Sequence, residues 1–170
     1  MCSTSSRPGP AVDAGIVALG CDHGGFALKG EVLAALGQLG LTALDLGCDC
    51  ATVSVNYPDY GKKVVDAVLA RPGVRGILIC GTGLGMSIMA NRFPGIRAAL
   101  CNDLFSAMMS RRHNDANILV LGGRIIGGAL AQEIVRVWLT TPFEGGRHQQ
   151  RLDLVEQLAR DARPVGVQHP

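Results

Sequence analysis

The chain lacks any apolar run of about 18 residues, the length a membrane-spanning helix requires, so no such span is expected. No CxxC pair occurs among its six cysteines, and Cys48-Asp49-Cys50 is spaced too tightly for a zinc knuckle. Cys2, Cys21, Cys48, Cys50, Cys80 and Cys101 are therefore expected as free thiols of a reducing compartment, the cytoplasm. Charge of either sign is scarce in excess: 16 Lys and Arg against 14 Asp and Glu leave +2, no field for nucleic acid or a membrane surface. Aromatics are 4% of 170 residues, whereas hydrophobic residues reach 48% and glycines number 23. That composition suits an α/β chain packed with Val, Ile, Leu and Ala, long enough to bury a core without disulfides or metal, and not a disordered one. The first 14 residues, "MCSTSSRPGPAVDA", lack the apolar centre of a signal peptide and read as a disordered leader. One arginine and three serines there are also compatible with a transit peptide.

What is present is alternation. "GIVALG" (15–20), "LTALDLG" (41–47), "VRGILIC" (74–80), "GIRAALC" (95–101) and "NILVLGG" (117–123) read as five buried strands, each bounded by Gly or polar residues. Helical patterns lie between them: "FALKGEVLAALGQLG", "PDYGKKVVDAVLARPG", "GMSIMANRFPG" and "DLFSAMMSRRHND". Pro72 and Pro94 mark two helix ends. Two further helices are expected over about 128–140 and 146–160, with 161–170 as a frayed tail of a single domain spanning 15–160. The pattern predicts right-handed βαβ units: an α/β, Rossmann-like three-layer α/β/α sandwich on a five-stranded parallel sheet. Ligands of such sheets bind beyond the C-terminal strand ends, at a topological switch point.

The polar residues of the pattern fall at those ends. The first strand delivers Cys21-Asp22-His23, the third Cys80-Gly81-Thr82-Gly83, the fourth Cys101-Asn102-Asp103, and the fifth Gly122-Gly123-Arg124. The fourth helix ends in Arg111-Arg112-His113-Asn114-Asp115, and several of these groups are expected in one crevice. Gly81, Gly83 and Gly85 do not form a dinucleotide fingerprint, because the spacing is GxGxG and no acidic residue closes a second strand. An anion-binding turn and a purely structural turn both remain open. Cys80 reads either as a small buried hydrophobe or as a thiolate base activated by a helix N-terminus, with Thr82 beside it. His23 and His113 are two of only four histidines and suit acid–base work or structural hydrogen bonding. No third ligand is spaced to make either a metal site. Arg147 and Arg151 share a helix face that is either solvated or, with Arg124, a three-arginine phosphate clamp.

Taken together, "GCDHGGFALK", "NYPDYG", "GILICGTGLGMSIMANR", "GIRAAL", "SRRHNDANILVLGGRIIG" and "FEGGRHQQR" resemble ribose-5-phosphate isomerase type B and its allose- and galactose-6-phosphate isomerase relatives, in colinear order over residues 15–158. The resemblance implies an aldose–ketose isomerase of the pentose phosphate pathway that interconverts ribose 5-phosphate and ribulose 5-phosphate without cofactor or metal. It also implies a homodimer or dimer of dimers with sites shared between subunits. Carried over residue by residue, Cys80 is the base with Thr82 beside it, and His113 opens the furanose ring. Asp22 and Asn114 hold sugar hydroxyls, Tyr57 lies near the sugar, and His23, Arg124, Arg147 and Arg151 bind phosphate. Some relatives replace the cysteine by a glutamate six positions later; Met86 stands there, so the chain resembles the cysteine subgroup. Asn56, where Asp is common, and Gly61, where Ala is usual, are its departures.

The expected chemistry is ring opening by His113, then removal of the C2 proton by the Cys80 thiolate and its return to C1. Backbone donors of the turn from Gly81 through Gly83 and Gly85 to Ser87 would hold the enediolate. Two rivals carry different consequences: allose 6-phosphate as substrate, and a sensor that binds a phosphorylated sugar without turning it over.

Overall fold

The computed structural model describes residues 15–162, so the leader and all but the first two residues of the expected tail lie outside the described residues. Five strands form one parallel sheet: β1 (Ile16–Cys21), β2 (Thr42–Asp45), β3 (Arg75–Cys80), β4 (Ala98–Leu100) and β5 (Ile118–Gly122), in the order β2-β1-β3-β5-β4. The helices are α1 (Phe26–Gln38), α2 (Tyr57–Ala70), α3 (Leu84–Ala90), α4 (Leu104–Arg112), α5 (Gly128–Thr140) and α6 (Arg147–Asp161). Each sequence-predicted element is present, trimmed by a few residues, and the architecture is the Rossmann-like α/β fold expected.

Strand alternation divides the core. Val17, Leu19, Ile77, Ile79, Leu119 and Leu121 face one layer, where Leu28 and Val32 of α1, Ala107 of α4 and Trp138 of α5 cover them. Ala18, Leu78, Ile118 and Val120 face the other, under Val64, Val65 and Val68 of α2 and Met86 and Ala90 of α3. Cys80 belongs to this second layer and Cys21 to the first. Trp138 is fully buried, and the guanidiniums of Arg75 and Arg111 each lie over its ring at 5.6 Å. Burial, together with the Arg111 charge, lowers the Arg75 pKa to about 10.

Two of the five strands are not buried as the apolar runs suggested. β2 and β4 are the sheet edges, and Leu44 in the middle of β2 is 42% exposed. Lys29 of α1 anchors the β2 edge: its ammonium lies 2.7 Å from the Asp45 carboxylate and donates to the Cys48 carbonyl at 2.9 Å.

The register sets the site's floor. Cys21 lies opposite Ile79, and Cys80 opposite Gly122, so β1, β3 and β5 end together around the switch between β1 and β3. The turn from β1 into α1 crosses β3 closely, where a Cβ on Gly25 would sit 2.4 Å from the Ile79 carbonyl oxygen. Gly25→Ala should therefore overpack this crossing and cost about 3 kcal/mol, measured by urea unfolding. Gly30, on the open face of α1 with nothing near its missing Cβ, is the control. Gly30→Ala should stabilise by roughly 0.5–1 kcal/mol through helix propensity.

Candidate active site

Cys80 ends β3 and is buried, with Sγ accepting a hydrogen bond from the Gly83 N–H at 3.2 Å. The turn can fold back on the sulfur because Gly83 takes φ +80°, and because a side chain there would strike Leu100 at 2.4 Å. Thr82 Oγ1 accepts from the Leu84 N–H at 3.4 Å, and the Ser87 N–H is used by the Gly83 carbonyl at 3.0 Å. Ser87 thus offers no free amide, contrary to the expectation for the turn. The amides without an intrahelical acceptor in the first turn of α3 are those of Gly85 and Met86.

Around this thiol the strand ends converge. Asp22 is buried and accepts from the Gly25 N–H at 2.9 Å. His23 is fixed by its Nδ1, which accepts from the Val55 N–H at 3.2 Å, leaving Nε2 for a ligand. The Tyr57 ring covers Gly85 so closely that a Cβ there would lie 2.8 Å from it. Arg124 leaves β5 with its N–H on the Gly81 carbonyl at 3.0 Å and lays its guanidinium along Gly81. Asp22, His23, Tyr57, Cys80, Gly81, Thr82, Gly83, Gly85 and Arg124 are one constellation.

His113, Asn114, Arg147 and Arg151 are not part of it. α4 begins beyond the C-terminal end of β4 and returns, so its last residues reach the edge where strands start. There the Asn114 carbonyl accepts from Arg97 Nε at 3.1 Å, and the Asn117 carbonyl takes the Gly76 N–H at the start of β3. The length of β5, roughly 13 Å at about 3.3 Å per residue, separates this edge from Cys80. His23 and His113 therefore lie at opposite ends of the strands, and Arg124 does not meet Arg147 and Arg151 within one chain.

The second half-site has a structure that the sequence reading missed. The imidazoles of His113 and His148 stack with centroids 4.1 Å apart and planes at 6°. Both direct Nε2 toward the Glu144 carboxylate, at 3.8 Å from His113 and 3.6 Å from His148. Glu144 is itself held by the Arg112 guanidinium, and its N–H donates to the Arg112 carbonyl at 3.0 Å. The hydrogen bond from Arg112 holds the Glu144 carboxyl below its usual range, so it stays charged. Burial, then the charges of His113 and Arg147, push the His148 imidazole below its usual 6.5.

Among the described residues, His113, Glu144 and His148 are the group whose ligand atoms converge closely enough to suggest a cation. Stacked rings point their nitrogen lone pairs side by side, whereas a tetrahedral metal needs them aimed at one point. Arg112 occupies the carboxylate, and Arg147 and Arg151 add positive charge. This arrangement suits proton handling next to an anionic ligand better than metal binding.

The Ribose/Galactose Isomerase family model matches residues 17–155. Ribose-5-phosphate isomerase B of Escherichia coli (strain K12) is 48% identical over 142 residues, covering 84% of this chain and 95% of its own length. A Bacillus subtilis (strain 168) protein, whose provisional name goes no further than sugar phosphate isomerase, is 52% identical over 136 residues, 80% of this chain and 91% of its own. The solved structure of Clostridium thermocellum ribose-5-phosphate isomerase B is similar with a TM-score of 0.82 at 48% identity, covering 86% of this chain and 98% of that one.

Nuclear magnetic resonance titration of the ring protons should find His148 protonating below 6.5, because burial disfavours its charged form. The unfolded chain then binds the extra proton first, so this residue's contribution to stability is present above about 6.5 and declines as the pH falls through it.

Proposed function

The chain belongs to the ribose/galactose isomerase family, and from that premise we propose that it interconverts ribose 5-phosphate and ribulose 5-phosphate with the Cys80 thiolate as base. It is an aldose–ketose isomerase of sugar phosphates. The observation that carries the finer reading is the Gly83 N–H aimed at Cys80 Sγ on a floor walled by Asp22, His23, Tyr57 and Arg124. A thiolate held there lies beside backbone donors, so base and oxyanion donors face the same two carbons.

In this mechanism His113 takes the proton from the anomeric hydroxyl of the furanose and gives it to the ring oxygen, and the C1–O4 bond breaks. Cys80 removes the proton from C2 of the open aldehyde, and the C–H electron pair closes the C1–C2 double bond as charge moves to O1. The thiol returns its proton to C1, and the proton of O2 passes to O1. His23 and Arg124 receive the phosphate from one side, Arg147 and Arg151 from the other.

Because the two half-sites lie at opposite ends of the strands, the proposed enzyme is a homodimer in which the partner's His113, Asn114, Arg147 and Arg151 complete the site around Cys80. Exposed apolar faces flank each half: Leu84 and Ile88 on α3 beside Cys80, and Leu154, Val155 and Leu158 on α6 below Arg147 and Arg151, each more than half exposed. A two-fold contact that sets α6 of one copy near α3 of the other covers both faces and builds two equal sites.

Two outcomes test this reading. Cys80→Ala should lower kcat on ribose 5-phosphate roughly 10²- to 10⁴-fold while affinity for a phosphorylated sugar acid changes little; normal turnover would remove Cys80 from the mechanism. If neither the native protein nor high substrate gives ribulose 5-phosphate, allose 6-phosphate is the next substrate to assay, and failure with both would leave a binding protein. Mixing inactive Cys80→Ala and His113→Asn chains after unfolding should restore about one quarter of native activity, since half of the dimers then carry one intact site. No recovery would mean that each site is built within a single chain.

A further inference from the structure

His148 is the buried residue of α6, whereas the other side chains of that helix are at least partly open to solvent. One flat face of its ring lies on His113, and its Nε2 accepts from Arg147 Nε at 3.5 Å. His113 stands at the C-cap of α4 and is 37% exposed, a position at which an imidazole would ordinarily turn among several rotamers. Opening a furanose requires one ring to address two oxygens in sequence, a task that tolerates roughly 10–20° of misorientation.

We propose that His148 is a positioning residue for ring opening, its imidazole serving as the platform on which His113 lies flat, with the Glu144 carboxylate beside the edges of both rings. This rests on the assignment of His113 as the ring opener. Three contacts hold the platform: the stack itself, the Arg147 Nε–H that donates to His148 Nε2 at 3.5 Å, and the Arg112 bridge that ties Glu144, whose carboxylate lies beside both rings, to α4. The titratable and charged groups facing His148 are His113 at the end of α4, Glu144 from the preceding loop, itself paired with Arg112, and Arg147 and Arg151 on its own helix. A neutral ring among these cations offers a π face to His113 when that group carries the proton, whereas a charged one would repel it.

The test compares the two directions of the reaction. Ribose 5-phosphate is a furanose and must be opened on the enzyme; ribulose 5-phosphate cannot close a five-membered ring, because its O5 is esterified, and its product can leave as the open aldehyde and close in solution, so its initial rate does not pass through the ring step. His148→Ala should lower kcat from ribose 5-phosphate roughly 10- to 100-fold with KM nearly unchanged, and leave the reaction from ribulose 5-phosphate within about threefold. His148→Phe, which keeps a flat ring without a titratable nitrogen, should recover most of the forward rate.

Equal losses in both directions would reduce His148 to a folding role, and an unimpaired His148→Ala or a Phe variant as poor as Ala would overturn the proposal outright. His113→Asn, assayed alongside, separates the two levels. If it fails to show the same directional loss, the ring-opening assignment falls and the platform with it. If it shows the loss and His148→Ala does not, only the platform falls.

Discussion

In a parallel sheet all strands end on one side, and each helix that follows returns its own end to the other side. That polarity governs this molecule. Residues delivered by strand ends, Asp22, Cys80 and Arg124, gather at one edge, and residues delivered by the end of α4, His113 and Asn114, gather at the opposite one. α6 joins the second group through His148, so its arginines are displayed away from the thiol. The same chain therefore carries two incomplete chemical surfaces, each bordered by apolar side chains that no described residue covers.

The first surface is local in origin. A six-residue strand, a left-handed glycine and a short helix put an N–H on the sulfur of Cys80 with no help from distant sequence. The surrounding side chains arrive by register alone, because Cys21 beside Ile79 and Cys80 beside Gly122 leave their successors level with one another. The second surface depends on a contact between residues far apart in the chain. Arg112 draws the Glu144 loop onto α4 before α6 begins, and only then can the first turn of α6 bring His148 under His113.

This difference explains what could be read before the structure was known. Apolar runs bounded by glycine or polar residues located all five strands, and the Cys80 turn was legible because the hydrogen bonds that fold it back on the sulfur, Gly83 to Cys80 and Leu84 to Thr82, span three residues or fewer. Burial of β2 and β4 was overstated, since a run such as that around Leu44 does not say whether a strand has a neighbour on each side. Expecting several strand-end groups and the end of α4 in one crevice overlooked the return direction of α4, which the alternation of elements already contained. The His113–His148 stack carried no such signal: Glu144 and His148 are one helical turn apart at a helix start, a spacing that by itself says nothing of a third residue.

The chain has a single tryptophan, and Trp138 lies on the α5 face that packs beside α4, with Arg75 and Arg111 over its ring. Arg111 immediately precedes Arg112 and His113, so the one indole in the molecule is a built-in optical probe of the edge that carries the histidine pair. Emission excited selectively at the indole follows the docking of α4 on α5, at the end of the strands away from the thiol of its own chain.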